Sequence, residues 1–168
     1  MAEGISLKTL DSKEHATPEW IIRKLRNDIG GDFDLDPAAT PGNAKAPLYY
    51  TEEDNGLVKH WDICNPSTTF VFCNPPYGRE VGKWVRKAFR ETDREVISYL
   101  LLKVSSDTDW WHDYVLRADE IRFIHHRVKY EGVSEGPAPF PSCIVVFRPE
   151  KLMISREDPR ISSFRRDR

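Results

Sequence analysis

Apolar residues along this chain fall into short runs with two different periods. From Thr17 a helical spacing passes through Trp20, Ile21, Ile22 and Leu25 and stops at Gly30-Gly31. It predicts a helix with Thr17 as N-cap and Pro18 at the first helical position. Phe33-Asp34-Leu35 predicts a strand, ended by Asp36-Pro37. Phe70-Val71-Phe72-Cys73 is apolar throughout, the pattern of a strand buried on both faces, and Val96 to Leu102 reads as another buried strand. Helical spacing returns over 80–93, through Val81, Trp84, Val85, Ala88 and Phe89, and again over 107–118. Ile121 to Ile124 and Cys143 to Phe147 read as strands. Residues 37–68, rich in Pro, Asn, Gly and Thr, read as irregular with a short helix near Leu57. Strands alternating with helices, then two strands with no helix between them, predict an α/β sheet with helices on both faces and an antiparallel edge strand.

Composition narrows the picture. At 168 residues, with 39% hydrophobic and 31% charged residues, the chain has enough apolar material for one core and too little length for two. Residues 1–15 read as a polar leader, 16–148 as the folded domain and 149–168 as a basic tail. The leader has no long apolar run, so neither a signal peptide nor a membrane span is expected. A net charge of -2 argues against a uniformly basic protein. Yet Arg148, Lys151, Arg156, Arg160, Arg165, Arg166 and Arg168 crowd the end of the chain, so a local basic surface is expected. Cys64, Cys73 and Cys143 show no CxxC spacing and read as reduced thiols of a cytoplasmic protein. His125-His126 would point to opposite faces of a strand. With no suitably spaced carboxylate, no metal site is expected.

The sharpest local feature is Asn74-Pro75-Pro76-Tyr77, directly after a buried strand. Two prolines can simply make a stiff turn. The carboxyl end of a strand is also where open α/β sheets place their chemistry. The residue types suit methyl transfer to a planar amine, whose lone pair is delocalised and poorly nucleophilic. Asn74 Oδ1 and the Pro75 carbonyl can accept both N–H bonds and favour a pyramidal nitrogen. Pro75 and Pro76 hold that carbonyl in one direction, and Tyr77 offers a face for an extruded base.

The Asn-Pro-Pro-Tyr signature resembles that of the amino-methyltransferases. The wider pattern resembles the compact phage-type DNA N6-adenine methyltransferases over most of residues 15–148. It includes Ala16-Thr17-Pro18-Glu19-Trp20, Phe33 to Ala39, Asp54-Asn55-Gly56-Leu57, Trp61, Cys73 to Gly78, Trp84, Trp110-Trp111 and Pro141-Ser142. The resemblance implies an abbreviated Rossmann-like sheet that uses S-adenosyl-L-methionine and acts on the N6 amine of adenine in double-stranded DNA. It implies base flipping, direct in-line transfer and a place in the cytoplasm of a bacterial host. Thr17 and Pro18 are expected near the methionine end of the cofactor and Asp36 at its amino group, with Pro37, Ala38 and Ala39 lining the same pocket. A plain N-cap for Thr17 and an Asp-Pro turn for Asp36 are the structural alternatives.

Two departures stand out. No Gly-x-Gly loop follows the first strand, and Leu102-Lys103-Val104 stands where Leu-Pro is expected. The stretch between Asp36 and Asn74 is also short, so one or both of its strands are expected to be reduced to loops. Asp54 is the candidate for the ribose hydroxyls, with a surface turn as its alternative. The loop from Arg127 to Pro141, with Arg127, Lys129 and Tyr130, is either a DNA-contacting groove or a solvated hairpin. The tail is either solvated charge or a phosphate contact. Amino-methylation of RNA guanine or protein glutamine, and an inactive DNA-binding relative, remain alternatives. The oligomeric state, monomer or homodimer, is left open.

Overall fold

Two strands that are apolar on both faces organise the computed structural model, which describes residues 16–132, 136–153 and 158–166. These are β3 (Thr69–Cys73) and β4 (Val96–Lys103). They pair in parallel, Cys73 opposite Leu100. Around them lie β1 (Leu35–Asp36), β2 (Leu48–Tyr49), β5 (Glu120–Ile124), β6 (Ser142–Phe147) and β7 (Arg160–Phe164), in the order β2-β1-β3-β4-β6-β5-β7. The β2-β1-β3-β4 half is parallel. β6 runs antiparallel to β4 and β5, and β7 is parallel to β5.

Alternation along these strands builds two cores. Val71, Cys73, Leu100, Leu102, Cys143 and Val145 point to one face, which is covered by α2 (Val81–Glu91) and α3 (Asp109–Asp113) through Trp84, Val85, Ala88 and Trp111. Phe72, Tyr99, Leu101, Ile144 and Val146 point to the other, covered by α1 (Glu19–Ile29) through Ile21, Ile22 and Leu25. Nearly all residues of β3, β4 and β6 are therefore buried, which is why these strands read as mostly apolar, with Thr69, Ser98 and Ser142 the buried polar exceptions. The α/β sheet with helices on both faces follows the pattern in the sequence.

Several local expectations change. The antiparallel strand is interior: all six residues of β6 are buried, so it needs a neighbour on each side. The edge is taken instead by β7, whose first four residues are exposed, as suits an edge strand. β7 arises from the segment read as a basic tail. The helix expected near Leu57 is a pair of turns, and the helix over 107–118 breaks at Tyr114 into α3 and a single 3₁₀ turn, Val115–Arg117. Of the irregular stretch 37–68, one two-residue strand survives. His125 and His126 lie beyond β5, where His126 has a φ of 68°. Their rings therefore meet, centroids 3.9 Å apart, rather than facing opposite ways. The leader, 1–15, lies outside the described residues. Among the described residues no helix is long and apolar enough to cross a membrane, and all three cysteines are free thiols.

Near the end of the chain Arg148 and Arg160 are engaged internally, whereas Arg165 and Arg166 are exposed. Glu120, 2% exposed, accepts hydrogen bonds from Arg122 at 2.9 Å, Arg148 at 2.6 Å and Arg160 at 2.9 Å. Arg148 also pairs with Asp119 and Arg122 with Asp28, while Lys151 pairs with Glu95 at 3.0 Å. Burial pushes the Glu120 carboxyl up, but the three guanidinium groups outweigh it and hold it at about 2. The local basic surface expected from this part of the sequence is correspondingly reduced. Arg156 and Arg168 lie outside the described residues.

Candidate active site

The sheet grows in two directions from β1. The chain leaves β1 for β2 on one side and returns to lay β3 on the other. The carboxyl ends of β1 and β3 thus flank a topological switch point, the crevice in which open α/β sheets bind ligands. Asp36 is the last residue of β1 and Asn74 follows the last residue of β3. Both line one small cleft, together with Thr17, Ala38, Asn43 and Lys45. Thr17, Asp36, Ala38 and Asn74, four residues singled out in the sequence, are therefore brought together from three separate segments.

Asp36 is only 3% exposed. Its Oδ2 accepts the Lys45 backbone N–H at 3.0 Å and its Oδ1 the Ala38 N–H at 3.4 Å. Burial raises its pKa to about 7, against the lowering effect of those two N–H groups and the Lys45 charge. Near neutrality the carboxyl is thus poised between its two forms, and a cation entering the cleft favours the charged one. Pro37 is buried, and its carbonyl approaches Gly56 so closely that a Cβ there would lie 2.1 Å from the oxygen. Gly56 in turn accepts the Trp61 Nε1–H at 2.9 Å. The Asp54-Asn55-Gly56-Leu57 turn is therefore a clamp on the segment after β1.

The entrance to α1 differs from the sequence expectation. Pro18, not Thr17, occupies the N-cap position, and its side chain makes no cap hydrogen bond. The cap comes from far along the chain: Glu131 Oε1 accepts the Glu19 N–H at 3.0 Å. The Glu131 N–H donates to the Ala16 carbonyl at 2.9 Å. A carboxylate at a helix N-terminus satisfies an orphan donor and meets the positive end of the helix dipole. Thr17, released from capping, is 2% exposed and lines the cleft.

Pro75 is buried and Pro76 half-buried, so the turn after β3 is held by packing as well as by its rings. The Asn74 side-chain oxygen is shielded from solvent. Tyr77 is half-buried, and its ring is T-packed against Phe140 at 5.3 Å and Tyr130 at 6.4 Å between centroids. The Tyr77 and Tyr130 hydroxyls are 2.6 Å apart. Burial and its partner push the Tyr77 phenol well above its ordinary range, and burial raises that of Tyr130 to about 12.

Residues 127–131 alternate, with Arg127, Lys129 and Glu131 exposed and Val128 and Tyr130 buried. Of the side chains read as facing DNA, Arg127 and Lys129 do reach solvent. Tyr130 turns inward to Tyr77. Lys129 shares a surface groove with Trp20, Arg23 and Arg166. Asp54 is not brought to the cleft. Its Oδ2 accepts the Thr51 N–H at 3.0 Å and the Thr51 hydroxyl at 2.9 Å, closing its own turn. At the departure after β4, Leu102 is buried and Lys103 sits over the Phe140 ring at 5.6 Å.

The structure adds four residues that the sequence reading passed over or misplaced: Asn43 and Lys45 on the cleft, Glu131 at the helix cap and Tyr130 behind Tyr77. The first two sit in an irregular stretch with no periodicity, and the last two act across long sequence separations. No local pattern marks any of them.

Comparison with known proteins points in one direction. Residues 6–156 match the family described as DNA N-6-adenine-methyltransferase (Dam). The chain is 26% identical over 148 residues to a DNA N-6-adenine-methyltransferase of Haemophilus phage HP1, covering 85% of this chain and 83% of the relative. It is 30% identical over 109 residues to a DNA N-6-adenine-methyltransferase of Escherichia phage T1. That match covers 65% of this chain and 43% of the longer phage T1 protein.

Proposed function

We propose that this chain, which belongs to the DNA N-6-adenine-methyltransferase (Dam) family, methylates the N6 amine of adenine in double-stranded DNA from S-adenosylmethionine. The observation that carries this reading is the convergence of Asp36 and Asn74 on one cleft at the β1/β3 switch point. The donor set fits the amino-acid end of the cofactor: a buried carboxylate for an ammonium, flanked by Thr17 and Ala38 and reinforced by charge-assisted hydrogen bonding.

When bound, S-adenosylmethionine supplies an electrophilic methyl group on a sulfonium sulfur. The protein's contribution is to present the acceptor amine. Asn74 Oδ1 and the Pro75 carbonyl accept the two N–H bonds, which localises the nitrogen lone pair and aims it at the methyl carbon. Pro76 keeps that carbonyl from turning away. Tyr77, its ring orientation fixed by Phe140 and Tyr130, stacks on the extruded adenine. With the donor bound, the amine held by Asn74 and Pro75 would take its methyl group, and the extra proton on nitrogen would pass to water. Alignment and water exclusion supply most of the rate, so no general base is assigned. Exposed Arg127 and Lys129 contact phosphates near the opening. In this reading the enzyme works in the cytoplasm of a bacterial host.

The test is methyl transfer from labelled S-adenosylmethionine to unmethylated duplex DNA, followed by digestion and nucleoside mass analysis, with Asn74→Ala alongside. N6-methyladenine from wild type and at least about a hundredfold less from the variant supports the reading. Label in RNA or protein but not in DNA, or full activity in the variant, overturns it.

A further inference from the structure

The Asp36 cleft also holds a cation. Lys45 is fixed at its backbone from two sides: its N–H donates to Asp36 Oδ2 at 3.0 Å, and its carbonyl accepts from Arg26 Nη2 at 3.3 Å. Its side chain is 12% exposed, and among the described residues the ion pair it makes is with Glu19 Oε2 at 3.9 Å. Glu19 is itself mostly exposed, and its other oxygen already holds Arg26 at 3.1 Å. A largely desolvated ammonium with a distant, shared counter-ion is under-compensated.

Lys45 does not neutralise Asp36 by a direct ion pair. The Asp36 oxygens are held by backbone N–H groups, and the Lys45 ammonium points to Glu19. A carboxylate and an ammonium therefore stand on the same small cleft without being consumed by each other. That is the complement of a zwitterion, with an ammonium and a carboxylate on one carbon. Glu19 loses little if Lys45 turns away, because Arg26 stays with it.

We infer that Lys45 Nζ binds the α-carboxylate of an S-adenosyl ligand while Asp36 takes its ammonium. The inference rests on the cofactor reading above and extends it to a residue with no role in that reading. It makes the cleft a two-point reader of the amino-acid end. An S-adenosyl compound lacking the carboxylate leaves Lys45 without its partner and binds more weakly.

The experiment measures calorimetric affinity for S-adenosylhomocysteine and for the analogue in which hydrogen replaces its carboxylate. Wild type, Lys45→Met and Lys45→Arg are compared, with thermal melting of each to confirm folding. The carboxylate is expected to strengthen binding to wild type by about ten- to a hundredfold, the strength of one charge-assisted hydrogen bond. Lys45→Met should lose that preference while holding the analogue as wild type does, and Lys45→Arg should keep part of it. Equal weakening toward both ligands in Lys45→Met, or an undiminished preference, overturns the role of Lys45 and leaves the cofactor reading standing. Wild type that binds neither ligand overturns the cofactor reading and this inference with it.

Discussion

Tyr77 and Tyr130, 53 residues apart in the chain, share a hydrogen bond of 2.6 Å between their hydroxyls. The contact ties the turn after β3 to the segment after β5, so the residue next to the prolines does not set its own orientation. Tyr130→Phe removes one hydroxyl and leaves the Tyr77 hydroxyl buried without that partner. A loss of about 1–3 kcal/mol is expected, measured by urea unfolding. An unchanged midpoint would show that the pair contributes nothing. Because both phenols are held above their usual range, ultraviolet titration of the native protein should show tyrosines that ionise only beyond ordinary alkaline pH. Tyr130→Phe should reduce their number.

Asp36 makes stability and ligand affinity depend on pH in opposite senses. Its folded pKa of about 7 lies above the ordinary aspartate value of 3.8. The folded state therefore holds the proton more tightly, and this contribution to stability is present below 3.8 and is lost as pH rises through about 7. Unfolding of wild type and Asp36→Asn across this window should show wild type losing ground to the variant as pH rises. The total is on the order of a few kcal/mol. Affinity for S-adenosylhomocysteine should instead rise with pH up to about 7 and level off, because only the ionised carboxyl partners an ammonium. A flat binding profile in wild type would remove Asp36 from that role.

Gly56→Ala places a methyl 2.1 Å from the Pro37 carbonyl oxygen, a backbone atom. The only relief is movement of the chain next to Asp36. A destabilisation of at least about 1–3 kcal/mol is expected, together with weaker ligand binding than in Gly42→Ala, where a Cβ meets open space. Matching melting temperatures for the two variants would contradict the clamp.

Glu120→Gln removes the charge shared by Arg122, Arg148 and Arg160. Three guanidinium groups then face a neutral amide at a site only 2% exposed, and a loss of about 3–5 kcal/mol is expected near neutral pH. Because the folded carboxyl is depressed from 4.5 to about 2, its contribution is complete above 4.5 and disappears as pH falls through 2. The gap between wild type and variant should therefore close in acid, as followed by circular dichroism. A gap constant with pH would assign the effect to packing alone.

Much of this arrangement is legible along the chain because it is local. The runs at Phe70 to Cys73 and Val96 to Leu102 declare buried strands, since a strand covered on both faces has few polar positions, Ser98 being the one in the second run. Gly30 ends α1 with a φ of 70°, as a glycine at that place announces. Asn74 could be picked out because it stands immediately after such a run, and the carboxyl end of a strand is where chemistry collects, whereas Asp36 was expected from the family resemblance. The resemblance to one enzyme family rests on the same local groups of residues.

Other features are decided by which distant segments meet. Thr17-Pro18 reads as a capped helix start, yet the cap is Glu131, 112 residues beyond the N–H it accepts. The antiparallel strand was expected at the edge, but β6 is enclosed between β4 and β5, and the edge beyond β5 goes to the short exposed β7, which carries little apolar signal of its own. Tyr130 and Lys45 have unremarkable sequence neighbours and gain meaning only from Tyr77 and Asp36. Periodicity reports how one segment divides its own faces between core and water. It carries no term for the partner across the gap, and capping, ion pairing and cleft formation depend on that partner.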